Sequence, residues 1–345
     1  MRRLQMALAL SAEVLFSCAV LAQSGQSSVG TGLLLVDIKG ENSLGIIDPG
    51  TETLVAKIPE GGVTGHEVAA TPDGKRAFVP IYGNAGVGEP GTDGSNIVVV
   101  DLAAHRVIGN IDFGKGVRPH DPVFGPKNGL LYVTTELNRS ITIIDPATLK
   151  IIGSIPTSQD QSHMLVISHD GRRGYTANVG PGTVSVLDLV GRKTIAVIPV
   201  SKQIQRIALS VDGKEIFTAD QTKPQLAVID TATNKIKSWV PLPGLGYGSA
   251  VTPDGNWLII VNPLIHKVSA INLHTLKVEH ILDLPVRPQA IVVNPNGRVA
   301  YVSCDASRKV GVINLADWTV TKLIDVGPGA DGMGWSRPLK VAASD

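Results

Sequence analysis

Three histidines, His66, His120 and His163, are the side chains in this sequence best placed to do chemistry, and acids directly follow two of them, Glu67 and Asp121. Neutral imidazole and carboxylate together can hold a divalent metal ion, engage a small ligand, or act as a general acid and base. Arginines recur beside the same places. Arg118 and Arg287 each stand in a Val-Arg-Pro, two residues before His120 and Gln289, and Arg206 follows Gln205. Guanidinium groups so placed can bind a carboxylate or phosphate. Glu136 and Asn138, in the next loop, add polar partners or simply form a turn. The metal candidates are therefore His66, His120, His163, Glu67 and Asp121, with no His-x-His pair or dense carboxylate cluster to name the ion. The plainer reading is that these polar side chains line a solvent channel. There is no Ser nucleophile elbow, no Cys–His pairing and no Cys-x-x-Cys-His, which argues against a covalently attached haem.

What must position these residues is a repeat. In the stretch Thr183–Asp220, four β-branched runs (Val184–Leu187, Thr194–Val197, Arg206–Leu209 and Glu215–Thr218) alternate with turn residues. The stretch reads as four strands joined by three hairpins, one antiparallel unit. Its turn glycine recurs at Gly74, Gly129, Gly171, Gly213, Gly255 and Gly297, with 42 residues between each of the last five. An Asp or Asn ending the third strand marks seven copies: Asp48, Asp101, Asp145, Asp188, Asp230, Asn272 and Asn314. A WD40-like period with four strands per copy predicts an all-β, seven-bladed β-propeller with four antiparallel strands per blade. The chain opens on second-to-fourth strands (Leu33–Asp37, Leu44–Ile47, Leu54–Ile58) and ends on a lone first strand near Met333–Ser336. One C-terminal and three N-terminal strands therefore complete the last blade and close the ring.

The repeat gives the histidines a common place. In a propeller the residue beginning each innermost strand lines the mouth of the central channel. Counting back eight residues from each turn glycine, or nine where the turn is longer, gives His66, His120, His163, Gln205, Tyr247 and Gln289, with Asp331 in the split blade. Three consecutive blades thus carry His on one arc. The first glycine spacing is 13 residues longer than the rest, and the excess is Gly83–Ser95, GNAGVGEPGTDGS, which includes Glu89 and Asp93. It joins the second and third strands, so it emerges on the face of the His arc. A loop this long in a tight repeat is expected to cover the mouth or to be an idle insertion. No Gly-Lys-Ser/Thr follows it, so it is not a phosphate cradle.

The strands Leu131-Tyr-Val-Thr-Thr, Gly174-Tyr-Thr-Ala-Asn, Phe217-Thr-Ala-Asp and Tyr301-Val-Ser-Cys, each followed by a Val-Ser-Val-Leu-Asp-like strand, resemble the YVTN family of β-propellers found in bacterial exported and surface-layer proteins. The resemblance covers about Leu33 to Ser336. Asn178 and Asn262 keep the motif's Asn, while Asp220 and Cys304 replace it. The family includes lactonase-like, haem-domain-like and purely binding members, so function must come from the site.

The remaining expectations come from composition and the ends. Net charge is +1 and no basic, aromatic-interleaved stripe occurs, which excludes nucleic acid as a general partner. Met1–Ala22 reads as a signal peptide, with Arg2 and Arg3 before an apolar run. A lipoprotein site at Cys18 is the alternative to a freely soluble product. Residues 23–32 read as a linker, 33–337 as the propeller and 338–345 as a tail. Cys304 would then be the one thiol of the mature chain, which carries no internal disulfide. The expected product is a periplasmic or secreted monomer without a membrane span. It binds a protein partner or small ligand at the mouth through His66, His120, His163, Arg118, Arg287, Gln205, Tyr247 and Gln289. The alternative is a lactonase- or streptogramin-lyase-like enzyme, with His120 or His163 as acid/base, Glu67 or Glu136 as helper, Arg118 as anion clamp, and a divalent metal ion as its cofactor.

Overall fold

The computed structural model describes residues 32–338, which form seven four-stranded antiparallel sheets. Blade I comprises Ala69–Ala70, Arg76–Gly83, Asp93–Asp101 and Arg106–Asp112. Blade II runs from Pro119–Phe124 to Lys150–Pro156, blade III from Ser162–Ile167 to Lys193–Pro199, and blade IV from Ala208–Leu209 to Lys235–Pro241. Blade V runs from Ser249–Val251 to Lys277–Asp283, and blade VI from Pro288–Val293 to Thr319–Asp325. Blade VII joins the C-terminal strand Ala330–Ser336 to Leu33–Ile38, Ser43–Asp48 and Thr53–Pro59. Among the described residues no helix is long and apolar enough to cross a membrane. The signal (1–22, with Cys18), the linker apart from Gly32, and the tail after Pro338 lie outside the described residues.

Burial follows position in the blade. Second and third strands, such as Arg173–Asn178 and Thr183–Asp188, are buried on both faces because a sheet covers each side, while the fourth strand Lys193–Pro199 alternates toward solvent. The apolar layers lie between blades: Ala177, Val184, Val186 and Ile198 of blade III pack on Ile216, Ala227 and Ile229 of blade IV. A lone four-stranded sheet could bury only one of these layers, so the blades stabilise one another. The six turn glycines all have φ between 66° and 75°, a region other residues enter at a cost. The Asp or Asn ending each third strand accepts a backbone N–H two or three residues on, as Asp101 does from Ala103, Asp145 from Ala147 and Asp230 from Thr233.

One reading of the repeat needs correction. Thr183–Asp220 is not a single unit. It holds the outer two strands of blade III and the inner two of blade IV, and Pro199–Gln203 is the crossover between blades, not a hairpin. The innermost strand of blade IV shrinks to Ala208–Leu209, with an isolated bridge from Ile204 to Asp220. The crossover and the hairpins carry the same turn residues, so composition does not distinguish them.

Closure occurs as expected, through a longer strand. Ala330–Ser336 pairs antiparallel with Leu33–Ile38 from Leu33↔Ser336 to Ile38↔Ala330. Gly332 permits the fit: a Cβ there would stand 2.1 Å from the carbonyl of His66, and its N–H donates to that carbonyl at 3.0 Å.

The closing blade also carries a pair of acids with no counterpart elsewhere. Strand register equates Asp37 with Thr134, Ala177, Ala219, Val261 and Ser303, and Glu60 with Phe113, Thr157, Val200, Leu242, Leu284 and Val326. Both acids are buried. They face each other across Gly65, where a Cβ would lie 2.4 Å from Asp37 Oδ2 and 3.1 Å from Glu60 Oε2. Glu60 Oε2 accepts the Gly65 N–H, while both Asp37 oxygens and Glu60 Oε1 lack partners.

Candidate functional site at the channel mouth

Each blade starts close to the axis, so the counted rim positions converge. A cavity of about 180 Å³ opens there, lined by His66, His120, His163, Gln205, Tyr247, Gln289 and Asp331. Arg206 and Arg287 also face it. The predicted arc is therefore one wall of one cavity. His66 and His120 meet edge to face at 5.6 Å between ring centroids, and His120 and His163 lie 3.7 Å apart. Burial holds His120 and His163 well below the usual imidazole range and lowers His66 to about 4, so all three are neutral at pH 7. His163 Nε2 lies 3.2 Å from the Gln205 amide, and neither His120 Nδ1 nor His163 Nδ1 has a partner.

The acids beside the histidines do not join them. Glu67 and Asp121 line a second cavity of about 190 Å³ farther along the channel, with Met164, Met333 and Arg206. His120 and Asp121 are successive residues of the strand Pro119–Phe124, where neighbouring side chains point to opposite sides, and Glu67 accepts from Arg206 on the inner side. Burial pushes Glu67 up to about 8 against the pull of Arg206, and Asp121 up to about 6 despite the Leu165 N–H it accepts at 2.7 Å. Among the described residues no group of three or more His, Cys, Asp and Glu could hold a metal ion, so the expected metal set of His66, His120, His163, Glu67 and Asp121 does not assemble.

Arg206 stands between the two cavities. Its Nη1 donates to Glu67, its guanidinium lies over the Tyr247 ring at 4.9 Å, and its Nη2 is 3.8 Å from Asp331. Burial alone would lower its pKa, but Glu67, Tyr247 and Asp331 outweigh burial and keep it charged.

The insert shapes the roof. Strands extend into it at both ends, leaving 84–92 as loop, and Ala85, Gly86 and Val87 line the mouth cavity. Arg118, expected as an anion clamp, is a latch instead. Its Nε donates to Asp93 at 2.6 Å, its Nη2 to the Glu89 carbonyl at 2.6 Å, and its Nη1 reaches Gly86 O and Glu136 Oε1 at 3.4 Å. Glu136 also accepts from Tyr82 Oη and, at 3.0 Å, from the Gly88 N–H. Neither Glu136 nor Glu67 bonds a histidine, so the His–carboxylate pairs of the enzymatic alternative are not formed. Asn138 is exposed at the end of its turn and does not line the cavity.

Lys39, Tyr82 and Asp305 also line the mouth, and counting rim positions does not find them. Lys39 and Asp305 occupy the first residue after the second strand, as Glu136 does, so a second repeat position was available as a signal. Lys39 pairs with Asp331 at 2.8 Å. Burial opposes both charges, but each partner outweighs it, raising Lys39 and lowering Asp331.

Comparison with known proteins places the fold. Residues 125–251 match the model of the Cytochrome D1 heme domain family. No curated protein matches the sequence. Among solved structures, Kuenenia stuttgartiensis hydrazine synthase superposes with a TM-score of 0.70 at 20% identity, covering 81% of this chain and 91% of that one. A functionally unknown protein from Desulfotomaculum acetoxidans DSM 771 superposes with a TM-score of 0.73 at 15% identity, covering 89% of this chain and all of that one. The family match raises haem as a ligand, and the mouth does not fit it. The cavity of about 180 Å³ falls below the ~300–1,000 Å³ of pockets that take larger ligands. His120 and His163 are 3.7 Å apart, leaving no room for a macrocycle between them. The matched segment also omits His66 and His120. This chain is thus a seven-bladed β-propeller, similar in part of its sequence to the Cytochrome D1 heme domain and in its fold to hydrazine synthase.

Proposed function

We propose that this protein is an exported binding propeller that takes a small ligand in the mouth cavity beneath the 84–92 loop. The observation that carries the reading is convergence: every blade supplies a polar side chain to one small cavity, from His66 in blade I through His120, His163, Gln205, Tyr247 and Gln289 to Asp331 in blade VII. Folding does not demand these types, since Gln205, Tyr247 and Gln289 fill the place that His fills in three blades. The latched loop adds a roof that a solvent channel does not need. The basic and apolar start of the sequence supports export to the periplasm or beyond. Binding is favoured over catalysis because the histidines lack carboxylate partners.

The test is a screen of small polar molecules by thermal shift against wild type and a His120→Gln/His163→Gln double variant. Ligands that raise the wild-type melting temperature and leave the folded double variant unmoved support the reading. Ligands that stabilise both proteins equally, with the variant's far-UV spectrum unchanged, overturn it.

A further inference from the structure

The charge of the mouth defines what it takes, an inference that rests on the site proposed above. Three cationic side chains line the cavity, Lys39, Arg206 and Arg287, against two carboxylates, Asp305 and Asp331. The three histidines add no charge at pH 7. Lys39 and Asp331 satisfy each other at 2.8 Å. Arg206 is incompletely satisfied. Glu67 takes its Nη1 from the inner side, Asp331 is too far from Nη2 to accept a hydrogen bond, and the buried Nε has no partner. A charged donor buried without an acceptor is unfavourable. Arg287, held at a φ of 60°, approaches Asp305 only to 3.7 Å and keeps 57% of its side chain exposed at the rim. Gln205, Gln289 and Tyr247 supply neutral hydrogen-bonding groups around them.

We infer that the mouth binds a small organic monocarboxylate, its carboxylate held on the Arg206–Arg287 side and its carbon chain against the histidine rings. Glu67, Asp331 and Asp305 already face Arg206, Lys39 and Arg287, which leaves room for a monoanion rather than a phosphate dianion. The volume, about 180 Å³, falls below the ~300–1,000 Å³ of pockets for drug-sized ligands, which suits a short carbon chain. The His120 and His163 rings, tilted by 31° to each other, offer an uncharged wall for that chain.

The experiment titrates the full chain at pH 7.5 and constant ionic strength with sodium acetate, propionate and butyrate, their amides, methylammonium chloride and sodium phosphate. Binding is followed by calorimetry and by histidine ring proton resonances. The expected result is binding of the carboxylates with shifts at His120 and His163, no binding of the amides, and at least a tenfold weaker propionate affinity in Arg287→Gln. Arg287 lies at the surface, so that variant should fold. Propionamide binding as tightly as propionate, a preference for phosphate or methylammonium, or unchanged propionate affinity in Arg287→Gln overturns the carboxylate assignment while leaving the mouth as a site. No histidine shift with any probe overturns both.

Discussion

Arg206 of blade IV and Glu67 of blade I bond to each other across the channel, from positions 139 residues apart in the chain. Both are buried, and the pair separates the mouth cavity from the inner one. Removing one member of a buried pair strands the other's charge, which typically costs about 3–5 kcal/mol, whereas replacing both by apolar groups is often near neutral. At pH 9, above the value of about 8 to which burial raises Glu67, Glu67→Gln should therefore destabilise the protein by about 3 kcal/mol or more, and Glu67→Leu/Arg206→Met by much less. Urea unfolding of the three proteins decides it. A double variant as unstable as the single one would show that the pair stabilises the ring through its own attraction.

Arg118 should control the roof. Its guanidinium ties the loop at Gly86, Glu89 and Asp93, and among the described residues no other side chain does so at all three points. Lysine has one ammonium in place of a fork and cannot reproduce these bonds. Arg118→Lys should raise hydrogen exchange across 84–92, with Gly88 N–H losing the protection that Glu136 now gives. Exchange in the second and third strands of blades III to VI should not change. Equal exchange in variant and wild type across 84–92 would show that Tyr82 and Glu136 hold the roof without it.

The fold was legible because its markers are local necessities. Gly74 and its counterparts sit at positive φ, and Asp101 and its counterparts cap the next turn, so each blade must rewrite both. The His arc was legible for the same reason, since a fixed period fixes the rim position. What a linear count cannot show is which way the next side chain points. Glu67 and Asp121 therefore line the inner cavity and not the mouth. Arg118 and Arg287 share Val-Arg-Pro and positive φ, but only Arg118 has an inserted loop to hold. Asp37 and Glu60 were invisible because their meaning lies in what the other blades place there, which needs the register.

Closure predicts a cost for trimming the C-terminus. A chain ending at Gly329 loses the whole pairing of 330–336 with Leu33–Ile38, buried Ala330 and Met333, and the Gly332 bond to His66. Burial of the methionine alone is worth about 1.5–3 kcal/mol, so the loss should exceed ~3 kcal/mol. It should also expose the inner strands of blades VI and I to exchange. A melting temperature equal to that of the intact chain would contradict the scheme.

The last prediction concerns the acid pair in the closing blade. Burial raises Asp37 well above the usual carboxylate range, with Glu60, Asp331 and Glu67 adding to the rise and Lys39 opposing it. Burial likewise raises Glu60 to about 7, opposed by the Gly65 N–H. A carboxyl whose folded pKa is raised binds its proton more tightly in the native state than in the unfolded one. Its contribution is fully present below the unfolded value near 4.5 and is lost as pH rises through about 7. At 1.36 kcal/mol per pKa unit, Glu60 alone accounts for roughly 3 kcal/mol between pH 4.5 and 8. Glu67 and Asp121 shift the same way. The lowered histidines act oppositely, strengthening the fold as pH rises toward 6.5, His66 from about 4 and His120 and His163 from below the usual imidazole range. The informative quantity is thus the difference between wild type and Glu60→Gln, which keeps an acceptor for Gly65. The variant should be nearly as stable as wild type at pH 5 and more stable by roughly 3 kcal/mol at pH 8. Urea unfolding at the two pH values measures it, and a difference that stays constant or grows toward acid would rule out a raised Glu60 at this seam.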